Sequence, residues 1–205
     1  MTVLRSRWQR FWLEWTLATL LGQGAGLVLF TLMVLLLAQF FRPPLLLLGL
    51  LLGFSRGLGV GIGQWLALGS RMAYSTERAV AWVGATTLGW AGATVAGLWL
   101  VQQTGNAWLG AVAAGAILGL AQWLVLRQFA PQVTVWLWIA TWITAFGLGQ
   151  LTEQLLGGLP ESVWVGVAVL VVRGLLNGAV TGNNLAWMLQ NAPEESDPPD
   201  PTLRA

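Results

Sequence analysis

PPLLLLGLLLGFSRGLGVGIGQWLAL, residues 43–68, decides the reading of this chain. After two prolines that suit a helix start, it runs apolar without a breaker and carries a single charge, Arg56. A helix needs about 20 mostly apolar residues to cross the hydrocarbon of a bilayer, and this stretch supplies them. Its glycines fall on every fourth position at Gly49, Gly53, Gly57 and Gly61. One face of the helix is therefore nearly bare backbone, which is how helices approach closely in lipid, where no hydrophobic force drives them together.

Five further stretches of the same kind flank it: Thr16–Phe41, Ala79–Val101, Ala107–Leu126, Val133–Leu155 and Val163–Leu189. The whole chain is 205 residues, 56% hydrophobic and 9% charged. Soluble domains carry about 25% charged residues because their surfaces face water, so most of this surface is expected to face lipid. Ahead of the first span, residues 1–15 repeat Trp8, Phe11, Trp12 and Trp15 at helical spacing, with Arg7, Arg10 and Glu14 on another face. That pattern predicts an interfacial amphipathic segment with its rings at headgroup level, and no cleavage pattern of a signal peptide follows it. Residues 191–205, rich in proline and acid, predict a disordered tail. The acids Glu194, Glu195, Asp197 and Asp200 there read as solvated chain.

Arginine placement orients the spans. Arg5, Arg7, Arg10, Arg71, Arg78, Arg127 and Arg204 fall on the side shared by both termini, and Arg42 on the other. The positive-inside rule then puts both termini in the cytoplasm. Tryptophans fit an aromatic belt, with Trp8, Trp12, Trp15, Trp65, Trp82, Trp123 and Trp187 toward that boundary and Trp99, Trp108 and Trp164 toward the other. Trp90, Trp138 and Trp142 lie deeper, in reach of a flat ligand.

The spans also repeat. Odd spans open on Trp15-x-x-Ala18-Thr19-x-x-Gly22 and Trp82-x-x-Ala85-Thr86-x-x-Gly89, with a degenerate third copy, Leu137-x-x-Ala140-Thr141-x-x-Thr144. Even spans carry Gly57-x-x-x-Gly61-x-x-Gln64-Trp65-Leu66 and Gly115-x-x-x-Gly119-x-x-Gln122-Trp123-Leu124, then Gly174-x-x-x-Gly178 with Thr181 in place of the glutamine. The expected fold is an all-α integral membrane six-helix bundle of three repeated hairpins, about residues 15–72, 79–130 and 133–190, related by an axis along the membrane normal. These GxxxGxxQWL spans resemble a group of small multispanning membrane proteins of cyanobacterial type. That resemblance covers the spans and not the tail. It implies a bacterial inner or thylakoid-type membrane and transfers no activity.

Arg56 and Arg173 are the sharpest chemical feature. Each lies near mid-span, where an arginine costs at least ~2.5 kcal/mol, and no acid is expected at their depth, Glu153 lying near the end of its span. Gln23, Gln64, Gln122, Asn177 and Thr181 are the candidate neutral company, the last two following Arg173 at four-residue steps on one face. Two readings stand: a mid-membrane pocket for an anionic lipid, quinone, pigment or carboxylate, or a hydrogen-bond network that fixes helix register. Gln64 and Gln122 have amide oxygens able to ligate a pigment metal, but membrane glutamines more often bond a neighbouring helix. Gly53, Gly57, Gly61, Gly115, Gly119, Gly174 and Gly178 read as packing positions inside the bundle, with a subunit contact as the alternative.

Composition excludes much chemistry. The chain has no His and no Cys, which removes the commonest general base and metal ligand and all thiol chemistry. Half the acids lie in the tail, so no acid–base pair or metal set forms within the spans. The pI near 10.4 reflects a lack of buffering groups at a net charge of +2, not the basic stripe that nucleic acid requires. The expectation is a non-enzymatic protein with no cofactor and no metal, an accessory or assembly subunit of a membrane complex. The alternative is a small carrier or ligand-binding protein with Arg56 and Arg173 in its site. Membrane lipids are the expected partners, with other subunits or a second copy beside them, and nucleic acid is not.

Overall fold

A computed structural model describes residues 2–69, 75–128, 130–131, 133–157, 159 and 162–190, with side chains from residue 8 onward. Arg71, Gly158, Pro160, the tail 191–205 with Arg204, and the side chains of Arg5 and Arg7 lie outside the described residues. Six helices follow one another: α1 Thr2–Leu37, α2 Leu45–Gly69, α3 Thr76–Thr104, α4 Ala107–Leu126, α5 Val135–Leu156 and α6 Val163–Gln190. All six are long and apolar enough to cross a membrane. Even α4, with 20 residues, reaches about 30 Å at 1.5 Å per residue, the depth of the hydrocarbon.

The turns follow from local chemistry. Gly105 ends α3 with φ 67, in the left-handed region, and donates its N–H to the Val101 carbonyl. Asn106 then caps α4, its side-chain oxygen accepting from the N–H groups of Trp108 and Leu109 at 3.0 and 3.3 Å. Within the apolar helices threonines return their hydroxyls to the carbonyl one turn back, as Thr87 does to Val83 and Thr141 to Leu137, which pairs those donors inside their own helix.

The helices close into a ring. Each packs on its chain neighbours, α6 returns to α1, and among the described residues no helix packs on one across the ring. Bare glycine backbone makes these crossings. Gly57 meets α3 at Thr87, Gly115 meets α5 at Ile143, and Gly174 meets α1 at Leu20. One turn further, Gly61 meets Val83, Gly119 meets Ile139, and Gly178 meets Thr16. Gly53 lies against Trp90 and Ala91, while Gly59 and Gly63 meet α1 at Gly22 and Ala18. Both glycine faces of α2 are thus consumed inside the ring, leaving Leu21, Leu88 and Leu155 among the side chains that coat its outside.

The two ends of the ring differ. Toward the end where α1 begins and α6 finishes, the interior is filled: Leu68, Leu126 and Leu185 are fully buried, as are Trp15, Trp82 and Trp138. Toward the other end, no described residue is buried in 27–48, 94–109 or 153–173. The interior is therefore a cup, plugged at the terminal end and lacking a closed core at the opposite one.

Two expectations change here. Residues 2–15 are the first turns of α1, and Phe11 and Trp15 are fully buried against neighbouring helices and do not face outward. Trp65 and Trp82 are likewise core and not belt. A ring at a helix end can satisfy either role, and here the neighbouring helices extend far enough to cover it. Trp99, Trp108, Trp136, Trp164 and Trp187 are the exposed rings among the described residues.

Candidate functional site

The candidate residues sort into two layers. The layer nearer the terminal end holds Gln64, Gln122 and Thr181, all fully buried. Gln64 donates to the Thr19 hydroxyl at 3.1 Å, and Gln122 donates both to Thr86 at 3.1 Å and to the Gln64 carbonyl oxygen at 3.0 Å. Trp142 donates to Gln122 at 2.8 Å, and Trp15 to the Thr181 hydroxyl at 2.9 Å, which itself donates to the Asn177 backbone carbonyl. All six helices are stitched together through these bonds. Each is worth about 0.6 kcal/mol in a membrane bundle. The Gln64 amide oxygen accepts from Gln122 and that of Gln122 from Trp142, so both are engaged within the bundle.

The next layer outward is different. Gln23 on α1 and Asn177 on α6 are 2% and 3% exposed, and both keep an unpartnered polar atom, Gln23 Nε2 and Asn177 Oδ1. Arg56 on α2 holds its Nε buried without a hydrogen-bond partner, its backbone pressed against Gly26 one turn along from Gln23. Gln23 also borders α6, with its oxygen 3.7 Å from where a Cβ on Gly174 would stand. Arg173 is next to Gly174 in the chain, so Gln23 stands between the helices that carry the two arginines, and these side chains border the ring interior at this level, the chamber. Toward α3 and α5 the interior is aromatic, with Trp90 against Phe146 at 5.3 Å between centroids and against Trp142 at 6.2 Å. Side chains on a helix lean toward its N-terminus. α2 and α6 both begin at the open end, so Arg56 and Arg173 lean toward the mouth of the cup.

Arg173 does not meet only neutral groups. It passes Gly149, with Nε 3.0 Å from where a Cβ would stand, and pairs through its guanidinium with the Glu153 carboxylate. Position along the chain placed Glu153 too near its helix end for this. The lean of the long side chain, together with the room left by Gly149, closes the gap. Arg56 has no carboxylate partner among the described residues, which leaves the chamber one positive charge in excess.

No family model, curated protein or solved structure matches this chain. Its chemistry therefore rests on the chamber itself and on the outer surface, where a groove of about 490 Å³ lies between α2 and α3, lined by Phe54, Leu58, Val83 and Leu88 among others. No charged residue lines the groove, and its one polar side chain, Thr87, turns its hydroxyl to the Val83 carbonyl, so the lining suits a lipid chain.

Proposed function

We propose that this chain is a non-enzymatic integral membrane protein that holds an anionic group in the chamber between α1, α2, α5 and α6. The observation that carries the reading is Arg56: a mid-helix arginine whose Nε is buried and unpartnered, without a carboxylate, on the same interior as Gln23 and Asn177, two buried amides with unused hydrogen-bonding atoms. Leaving such groups unmet costs about 1–3 kcal/mol each, more for a charge. An anion entering from the open end removes that cost. Gln23, Arg56, Arg173 and Asn177 are the binding residues, and Glu153 holds Arg173 while the site is empty. The plugged terminal half supports a binding protein over an open pore.

The same reading takes the three hairpins as copies of one unit. Its support is the register: the glycine crossings match when Trp138, and not Leu137, is set equal to Trp15 and Trp82. All three tryptophans are then fully buried equivalents, as are Leu68, Leu126 and Leu185. Orientation follows the arginines, with both termini cytoplasmic in a bacterial inner or thylakoid-type membrane. The alternative role, an accessory subunit of a larger complex, loses the glycine stripes as support because α2 spends them on α1 and α3. The outer groove remains for it.

The test is purification in neutral detergent, native mass spectrometry for retained anionic lipid, and calorimetric titration with inorganic phosphate. Retention or binding that Arg56→Leu abolishes is the expected result. A wild-type protein that retains no anion and binds none ends the reading, and copurification of a large complex would turn it toward the subunit.

A further inference from the structure

The unpaired atoms of the chamber narrow the anion. Gln23 Nε2 and Arg56 Nε are donors, whereas Asn177 Oδ1 can only accept. A fully deprotonated anion meets the two donors but turns a lone pair toward Asn177 and toward the Glu153 carboxylate. An anion with an O–H meets all three: its charged oxygens face Arg56 and Gln23, and its proton faces Asn177. Resting on the anion-binding reading above, we propose that the chamber selects an oxyanion bearing its own hydroxyl, a hydrogen phosphate or a hydroxylated phosphate ester. The chemistry is shared by a soluble hydrogen phosphate and by a glycerophospholipid headgroup that carries hydroxyls, such as phosphatidylglycerol, and Glu153 acts in the same sense as Asn177, favouring ligands that place a proton between the two oxygens.

Hydrogen phosphate and sulfate at pH 8 provide the comparison, because they match in charge and nearly in size and only phosphate carries a proton. Titrated into the full-length protein in phosphatidylcholine nanodiscs, phosphate is expected to bind roughly five- to 150-fold tighter than sulfate, the range that one unmet buried hydrogen-bonding position sets. Asn177→Leu, close in volume, is expected to lower that ratio at least about threefold, since the acceptor is gone. Adding phosphatidylglycerol to the nanodiscs distinguishes the sources: loss of phosphate binding assigns the site to a lipid headgroup, and undiminished binding assigns it to a soluble anion. Sulfate binding as tightly as phosphate, with Arg56→Leu abolishing both, overturns the selection while the anion site stands. Binding of neither anion and no retained phosphatidylglycerol overturns both.

Discussion

Alanine at Gly57, Gly115 and Gly174 gives three unequal outcomes, although the three glycines occupy matching crossings. A Cβ on Gly57 would stand 2.6 Å from Thr87 Cα and 2.9 Å from the Thr86 carbonyl oxygen. On Gly115 it would stand 2.6 Å from Ile143 Cα and 2.7 Å from its nitrogen. Both obstacles are backbone, so the helices must move apart, and overpacking of that kind costs about 1–3 kcal/mol. On Gly174 the near neighbour is the tip of Leu20 at 2.6 Å, with the Leu20 Cα at 3.4 Å; a rotamer change clears it. Gly24 is the control, with nothing within 4 Å and up to about 1 kcal/mol to gain from helix propensity. For a chain of this length 1 kcal/mol shifts Tm by about 2–4 °C. Gly57→Ala and Gly115→Ala should therefore lower Tm by about 2–12 °C, with Gly174→Ala close to wild type and Gly24→Ala at or above it. Thermal unfolding in mild detergent, followed by tryptophan fluorescence, reads the order directly. Gly57→Ala as benign as Gly24→Ala, or Gly174→Ala the most damaging, would refute the ring as the glycines define it.

Three other perturbations probe the interior and the sidedness. Gln122→Leu strands Trp142 Nε1 and the Gln64 oxygen, with an expected loss of about 1–3 kcal/mol; adding Gln64→Leu should cost less than the two changes summed, a coupling that a double-mutant cycle in detergent measures. Glu153→Leu and Arg173→Leu should each destabilise, the pair together less than either alone, because removing both leaves no uncompensated charge; thermal melts decide it. The chain lacks cysteine, so single cysteines at Asn106 and Ser162 should react with a membrane-impermeant maleimide only from the side opposite one placed at Arg127, and labelling of all three from one face would end the six-span topology.

The helices and their crossings were legible because lipid leaves few ways to write them: long apolar runs, small residues every fourth position, arginines on one side. Gly57, Gly61, Gly115, Gly119 and Gly178 needed no structure to be read as packing positions. Trp15, Trp65 and Trp82 were misplaced because an indole near a helix end suits an interface and a core equally well, and only the covering helices decide. Glu153 was set too far from Arg173 because counting residues measures where backbones lie, whereas an arginine reaches a full turn toward its helix start and Gly149 clears its path. Gln64 and Thr181 looked like company for the arginines by spacing alone. Their bonds turn inward to Thr19, Gln122 and Trp15, one layer away.

The chamber exists because the proposed threefold is broken at one level. With Trp15, Trp82 and Trp138 aligned, Arg56 and Arg173 correspond to Ala114, Asn177 corresponds to Val60 and Leu118, and Gln23 corresponds to Trp90 and Phe146. The middle hairpin is apolar at every one of these positions, and the substitutions on the outer two gather on the side of the ring where the first and third hairpins meet. A network meant only to fix register would be served by neutral groups that satisfy one another, as the glutamine layer beside it does. Two guanidinium groups against one carboxylate instead leave a positive charge that costs at least ~2.5 kcal/mol at this depth, with buried donors and an acceptor unmatched around it. Such a surplus, set above a sealed plug, is what the proposed anion would relieve.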